Sequence, residues 1–295
     1  MIDEVKRLFC FGLGYSAKNL ALSLMAEGWS VEGTCRSKSR QAELFEIGID
    51  AKIFDGKLPL ADAELSLARA THLLCSIPPP RGDGRLNKKD PVLNLYGSYL
   101  RAARHFQWIG YLSTTGVYGD TGGRSVDEYS LINPSSERSN NRAIAEKSWL
   151  CKGAHIFRLA GIYGPGRNVL EKARSGLARI IEKPGHKFSR IYVDDIAATI
   201  RASINKPNPG AIYNVCDDEA ASPAEVSRFA YELLGMEPPL AISFKDASKT
   251  MSSMGLSFWQ DNRLVNNGRI KKELGVKLIY PNYRVGLQAI LEGEK

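Results

Sequence analysis

The sequence predicts an α/β fold: a doubly wound parallel sheet covered by helices on both faces, with a smaller C-terminal lobe. Three observations carry this expectation. From residue 5 to residue 113, β-rich apolar runs alternate with stretches of helical period across short connections, the pattern of a parallel sheet with crossover helices. A glycine turn, Gly12-Leu13-Gly14, separates the first strand from the first helix. The length, 295 residues, is long for one simple domain and short for three, so one large domain with an appended lobe is the natural division.

The elements follow in order. Residues 5–11 form the first strand, an apolar run that stops at Gly12. Residues 16–27 turn helical, with Ala17, Leu20, Ala21 and Leu24 on one face and Gly28 as the stop. A strand over 29–35, a helix near 41–47, a strand near 51–54, a helix near 60–70 and a strand over 72–77 come next. A helix over 92–105 then leads to a strand at 109–113. The second half is less regular. "HIFRLAGIYGPGR" (155–167) is a strand running into a Gly/Pro turn, and "FSRIYVDDIAATIRASI" (188–204) is a short strand before a helix that opens near Asp194 and Asp195. "AIYNVCDD" (211–218) is a strand, 223–234 a helix, and two short helices close the chain. Residues 1–165, completed by segments near 188–217, are expected to form the sheet domain. Residues 166–187 and 218–295 are expected to form the smaller lobe over the strand ends, because ligands of such sheets sit at the carboxyl ends of the strands.

Composition narrows the function classes. A hydrophobic fraction of 43% and a charged fraction of 24% are those of a globular protein. The five cysteines, at 10, 35, 75, 151 and 216, are dispersed and show no metal spacing, which points to a reducing compartment rather than a disulfide framework. The first residues are charged too early for a secretory leader, and no uncharged apolar run approaches the roughly 18–20 residues of a membrane span. A cytoplasmic protein is expected. The net charge of +8 is spread among acids, with no Arg/Lys block interleaved with aromatics. A solvated surface with some anion pockets therefore fits better than a nucleic-acid face, and anionic small ligands suit the charge. No HExxH, GxxxxGK[ST] or GxSxG occurs, and His72, His105, His155 and His186 share no metal spacing.

The stretch Gly12-Leu-Gly14-Tyr-Ser-Ala17 fits GxGxxG/A between a strand and a helix. Gly12 permits the tight turn, Gly14 lets backbone approach a pyrophosphate, and Ala17 allows close helix–strand packing. The helix start at Tyr15 and Ser16 offers N–H groups and a positive dipole end to phosphates. A Rossmann-type dinucleotide site is expected here. The acid that usually ends the second strand and holds the ribose hydroxyls is absent. Glu32 lies inside the strand, and the tip reads Cys35-Arg36-Ser37, with Lys38 and Arg40 behind it. A guanidinium and a hydroxyl there suit a 2′-phosphate. The alternative, a solvated basic helix start, sets cations against the helix dipole. NADP(H) is therefore expected in preference to NAD(H). Ser76, Ile77 and Pro78 follow the fourth strand, where the chain passes the cofactor, and the prolines fix its path. Arg81, Arg85, Lys88 and Lys89 make the next loop cationic, as a clamp on a phosphorylated substrate or as a solvated loop.

Four further stretches follow the glycine turn in order: "LSTTGVYGD" (112–120), "FRLAGIYGPGR" (157–167), "SRIYVDDIA" (189–197) and "YNVCDDE" (213–219). Together they resemble the extended short-chain dehydrogenase/reductase family over nearly the whole chain. More narrowly, they resemble its NAD(P)-dependent epimerase/dehydratase branch, that of nucleoside-diphosphate-sugar epimerases. The resemblance implies a Ser/Thr acting with a Tyr-x-x-x-Lys on the next helix, where i and i+4 share a face. Matching "VYG" puts the Ser/Thr on Thr114, with Ser113 beside it at the cofactor. Matching the glutamate of "AEKSW", Glu146, puts the Tyr on Arg138 and the Lys on Arg142. None of the twelve tyrosines is followed four residues later by lysine.

The chain thus resembles the atypical members of the family, which keep the fold and cofactor site without the tyrosine. Arg138 stays charged near neutral pH and cannot donate a proton. Arg142 can still bind ribose hydroxyls or a phosphate and stabilise a developing negative charge. Thr114 can hydrogen-bond a substrate hydroxyl or carbonyl. Tyr118, Tyr163 and Tyr192 stand beside family motifs, and Tyr163 is the candidate proton donor; each also reads as a packed aromatic with a satisfied hydroxyl. Arg167 could reach a substrate diphosphate or pair with Asp194 or Asp195. Two functions follow. One is an NADP(H)-binding epimerase/dehydratase-like oxidoreductase acting on a small polar substrate, a nucleotide-sugar if the resemblance extends that far. The other is a non-catalytic NADP(H)-binding or redox-sensing protein. No metal, nucleic-acid or membrane partner is expected; a homodimer is compatible with the sequence.

Overall fold

The computed structural model describes residues 6–80 and 90–293. Arg81, Arg85, Lys88 and Lys89 lie outside the described residues. The first half runs β1 (Arg7–Phe11), α1 (Tyr15–Met25), β2 (Ser30–Cys35), α2 (Lys38–Glu46), β3 (Asp50–Ile53), α3 (Ala63–Arg69), β4 (His72–Cys75), α4 (Pro91–Ala102) and β5 (Trp108–Thr114). There follow β6 (Ser125–Val126), α5 (Glu137–Leu150), β7 (His155–Leu159), β8 (Gly161–Tyr163), α6 (Val169–Arg174), β9 (Ile181–Glu182), β10 (Arg190–Tyr192), α7 (Val193–Asn205) and β11 (Ile212–Val215). The chain closes with α8 (Pro223–Leu233), β12 (Ile242–Ser243), α9 (Phe244–Ser248), α10 (Ser253–Gln260), β13 (Leu264–Val265), a π-helical turn at Ile270–Leu274 and α11 (Tyr283–Gly293). No described helix is long and apolar enough to cross a membrane.

Seven strands form one parallel sheet in the order β11-β7-β5-β4-β1-β2-β3. The order reverses direction at β1 and β4, which are direct neighbours with Leu8 opposite His72 and Phe11 opposite Cys75. A crevice at the carboxyl ends of such a pair is where ligands of open α/β sheets sit. β1 is apolar on both faces because both are covered: four of its five residues are buried. α1 buries Ala17, Leu20, Ala21 and Leu24, the face its periodicity predicts.

The described residues gather into two compact units. The first comprises Met1–Thr114, Asn140–Arg158 and Ile196–Tyr213; the second comprises Thr115–Ser139, Leu159–Asp195 and Asn214–Lys295. The core of the first includes Phe9, Phe11, Phe54, Tyr96, Tyr111 and Trp149, with Tyr111 and Trp149 stacked at 5.5 Å between ring centres. α4 begins on a strong cap. Asp90 Oδ1 accepts from the amides of Val92 and Leu93, both at 3.0 Å, with Pro91 at the first helical position. In the second unit α8 starts on a Ser222/Glu225 capping box. The short strands β6, β9, β12 and β13 pair with partners remote in sequence, Leu264 opposite Ser125 and Ile242 opposite Ile181.

Candidate functional site

The glycine turn sits at the reversal of strand order. Gly12 has φ +91, and a Cβ there would lie 2.8 Å from Ile77 Cγ1 and 2.9 Å from Ser76 Oγ. A positive φ with crowding on the same side requires glycine. The turn is closed from both neighbouring strands. The Gly12 amide donates to Thr34 Oγ1 at 2.8 Å, the Leu13 amide to the Thr34 carbonyl at 2.7 Å, and the Ser76 amide to the Phe11 carbonyl at 2.9 Å. Ser76 Oγ donates to the Gly12 carbonyl. Gly14 differs: a Cβ there would meet nothing within 4 Å. The protein itself does not need that glycine; it keeps the approach to the start of α1 open. Among the described residues no side chain caps α1, and its first turn holds no acid, so its positive end is open to an anion. Tyr15, Ser16 and Ala17 form that first turn, the last two buried.

A cleft of about 1200 Å³ opens beside the turn, with Gly12, Gly14, Ser76, Ile77 and Pro78 along its wall. Arg36, Ser37, Arg40 and Lys57 line the same cleft, with Asp55 the one carboxylate among the described lining residues. Where an acid would end β2, the structure places Cys35, whose thiol donates to the Ser37 carbonyl at 3.5 Å. Burial pushes that thiol up, while the Ser37 carbonyl contact and Arg40 work the other way. Ser37 caps α2 by accepting from the Arg40 amide at 3.2 Å. The Arg40 guanidinium is held by the Leu13 carbonyl at 3.4 Å and by Glu43 at 2.7 Å. The Arg36 side chain is exposed on the cleft. Sequence reasoning missed Thr34, which clamps the glycine turn; its only signal is a hydroxyl residue one place before the end of the strand.

At the end of β5 two anchored clusters meet the chain. Ser113 donates its hydroxyl to Glu146, and Arg158 lies on the same carboxylate with Nη2 at 2.8 Å; all three side chains are buried. The Ser113 hydroxyl is therefore engaged inward, while Thr114 is half-buried one residue on. Arg142 Nη1 donates to the Leu112 carbonyl at 2.6 Å and to Tyr111 Oη at 3.3 Å, with the guanidinium 5.6 Å over the Tyr111 ring. Arg138, one turn earlier, lies 5.0 Å over Phe258 instead. Arg138 and Arg142, the two arginines expected at the Tyr and Lys positions, thus go to different aromatic partners.

The second unit has its own cavity of about 680 Å³, with Tyr163, Arg167, Lys172, Arg179, Arg190 and Tyr283 on its walls. Tyr163 is buried and donates to the Asn282 carbonyl at 3.2 Å. Burial, then Asp217 and Asp195, raise its phenol well above the ordinary range, so it stays neutral. The geometry speaks for the packed-aromatic reading of Tyr163. The other two tyrosines are held as well: Tyr118 donates to Asn214 at 2.7 Å, and Tyr192 stacks on Tyr280 at 3.7 Å. Asp195 accepts from the amides of Ile279 and Tyr280 at 2.8 and 3.0 Å.

No protein-family model matches the chain. It is 28% identical to protein YeeZ of Escherichia coli, over 94% of this chain and 97% of that one. A functionally unknown conserved protein from Silicibacter pomeroyi is 42% identical, with a TM-score of 0.88 covering 99% of this chain and 100% of the other. A candidate NAD-dependent epimerase/dehydratase from Methylobacillus flagellatus is 25% identical, with a TM-score of 0.75 over 99% of each chain. Two more distant structures share the fold: dTDP-glucose 4,6-dehydratase from Bacillus anthracis in complex with NAD, at 17% identity and TM-score 0.75, and a human epimerase family protein with NADPH, at 16% and 0.71. Strand order, glycine turn and these likenesses converge: the chain has an epimerase/dehydratase-like Rossmann fold and is similar to proteins of the extended short-chain dehydrogenase/reductase family.

Proposed function

We propose that this protein binds a nicotinamide dinucleotide, NADP(H) in preference to NAD(H), and works in the cytoplasm as an epimerase/dehydratase-like oxidoreductase. Its substrate is a small polar molecule, nucleotide-linked by the family likeness. The observation that carries this reading is Gly14. Nothing among the described residues crowds it, yet it stands at the uncapped start of α1 on a cleft of about 1200 Å³, which is a cradle a Cβ would fill. The residues present fit the group. Gly12, Gly14, Tyr15, Ser16 and Ala17 would hold its pyrophosphate, Arg36 and Ser37 a 2′-phosphate, and Ser76, Ile77, Pro78 and Ser113 its path along the strand ends. When bound, the nicotinamide supplies the hydride donor or acceptor.

The chain's own residues do the rest. Thr114 offers a hydroxyl to the reacting oxygen. Arg142, fixed by the Leu112 carbonyl, presents a permanent charge toward ribose or a developing anion. Tyr163, with its hydroxyl anchored, forms a wall of the cavity in the unit that contains 166–187 and 218–295, the segments we assign to substrate. The arginines and lysine of that cavity suit an anionic group on the substrate.

Two measurements test this. Arg36→Asp should weaken NADPH about tenfold or more and NADH little, since a charge-assisted bond contributes about 1.5–3 kcal/mol; equal weakening overturns the 2′-phosphate reading. Turnover with NADPH across a panel of sugar nucleotides and simple carbonyls tests the enzyme. Tight NADPH binding with no turnover would favour the non-catalytic, redox-sensing alternative.

A further inference from the structure

Arg190 serves two neighbours. Its side chain lines the 680 Å³ cavity, and its charge acts on the carboxyl of Asp217. Nη1 donates to the carbonyls of Phe188 and Ala221 at 2.8 and 2.9 Å. These acceptors fix the guanidinium but bring no counter-charge. The main chain locks the two residues together, since the Asp217 amide donates to the Arg190 carbonyl at 2.7 Å.

Asp217 is only 3% exposed, and among the described residues neither carboxylate oxygen holds a hydrogen bond. The main-chain amides of Glu219 and Arg190 face it without closing one. A buried carboxylate in that position is costly as an ion unless a nearby cation is available to it. The charged and titratable groups around it are Arg190 on β10, Tyr163 on β8, and Cys216 and Asp218 on its own segment; Glu128 and Lys271 act on Cys216, and Tyr283 on α11 and Glu225 on α8 act on Arg190. Among the described residues Lys271, the cation beside the neighbouring position, is taken up by Asp218 at 2.5 Å, whereas Arg190 acts on Asp217 and is also part of the cavity wall.

We propose that Asp217 is the exchangeable counter-charge of Arg190: it holds a solvent-derived proton while an anion sits against Arg190 in the cavity, and ionises to balance Arg190 when the anion leaves. Burial pushes the Asp217 carboxyl up to about 8, with Arg190 opposing, which sets the pH range where the exchange is visible. Below that range the carboxyl is neutral and Arg190 faces the anion uncompensated. Above it, binding must take up a proton, and affinity falls. The inference rests on the cavity being the seat of the substrate's anionic group.

Sulfate, which does not titrate in this range, is the probe, with the cofactor cleft first saturated with NADP. Calorimetric titration of the full chain at about pH 8.5, in two buffers of different ionisation heat, should show uptake of a fraction of a proton per sulfate. Binding should weaken about tenfold between about pH 6.5 and about pH 9.5, a usual coupling for two linked sites. Asp217→Asn should abolish both the proton uptake and the pH dependence. Arg190→Gln should abolish sulfate binding at every pH. Sulfate binding that depends on Arg190 but takes up no proton overturns this inference and leaves the cavity reading intact. No sulfate binding, or binding indifferent to Arg190→Gln, overturns both. The pH series on the unsubstituted chain decides the matter even if a variant fails to fold.

Discussion

The guanidinium of Arg158 lies on the carboxylate of Glu146, Nε 3.2 Å from each oxygen and Nη2 2.8 Å from one, with both residues 1% exposed. This pair joins α5 to β7, and the Ser113 hydroxyl at the end of β5 donates to the same Glu146 carboxylate. Removing one partner of a buried pair strands the other charge and costs about 3–5 kcal/mol. Glu146→Gln should therefore lower the urea unfolding free energy by about 3 kcal/mol or more. Ser113→Ala removes only a neutral donor and should cost about 1 kcal/mol. Equal losses would mean the ion pair contributes no more than the hydroxyl.

Gly12 and Gly14 should separate under the same substitution. Gly12→Ala sets a Cβ against Ile77 and Ser76 at a φ of +91, and a side chain in that region costs about 1–3 kcal/mol. It should lose both stability and NADPH binding. Gly14→Ala meets nothing within 4 Å and has an ordinary φ of −80. Its melting temperature should stay unchanged while NADPH binding weakens about tenfold or more. Unchanged binding would show that no ligand approaches Gly14.

What could be read in the sequence and what could not divide along one line: local pattern against distant contact. The buried face of α1 follows from Ala17, Leu20, Ala21 and Leu24, and the turn from Gly12, because each is written within a dozen residues. β6 and β13 are two residues each, too short to carry a period, and exist only because Leu264 reaches Ser125. The strand expected over 72–77 stops at Cys75, before the chain enters Pro78 and the prolines after it. The tail helix near 270 is a π turn, which no residue spacing announces. At the site, Arg36 and Ser37 were legible at a strand tip. The engagement of Ser113 by Glu146, of Arg142 by Tyr111 and of Arg138 by Phe258 was not, since each depends on an element far away in the chain.

Gly286 makes room for Tyr163. A Cβ at Gly286 would lie 2.7 Å from Tyr163 Cε2 and 2.8 Å from Cζ, and closer still to its hydroxyl. Alanine is the better helix residue by about 0.5–1 kcal/mol, but overpacking a fitted contact costs about 1–3 kcal/mol. Since the neighbour is a buried ring rather than a flexible tip, overpacking should win, and Gly286→Ala should destabilise by about 1 kcal/mol or more. Tyr163→Phe deletes the hydroxyl that the new methyl strikes, so the double variant should regain part of the loss in a double-mutant cycle. Strict additivity would show that the two side chains do not meet.

Acid should weaken the fold through His72. This side chain is 3% exposed, with Nδ1 2.8 Å from Thr71 Oγ1 and its ring edge-on to Trp29 at 4.6 Å. Burial, then Lys6, lower its pKa to about 4, against about 6.5 in an unfolded chain. A depressed folded value means that His72's contribution is fully present above about pH 6.5 and is lost as pH falls through about 4, because only the unfolded chain takes up the proton in between. The limiting slope is about 1.4 kcal/mol per pH unit for one such group. His186, likewise lowered to about 4 by burial and Lys183, adds to this slope. Asp217, raised by burial, works in the opposite direction, since its contribution is present at low pH and is lost as pH rises toward about 8. The decisive quantity is therefore the difference between the unsubstituted chain and His72→Gln. In urea titrations, the gap between the two chains should change steadily from about pH 6.5 to about pH 4, and be constant above that window. A gap that stays constant through the window would mean that His72 is protonated as readily in the fold as out of it.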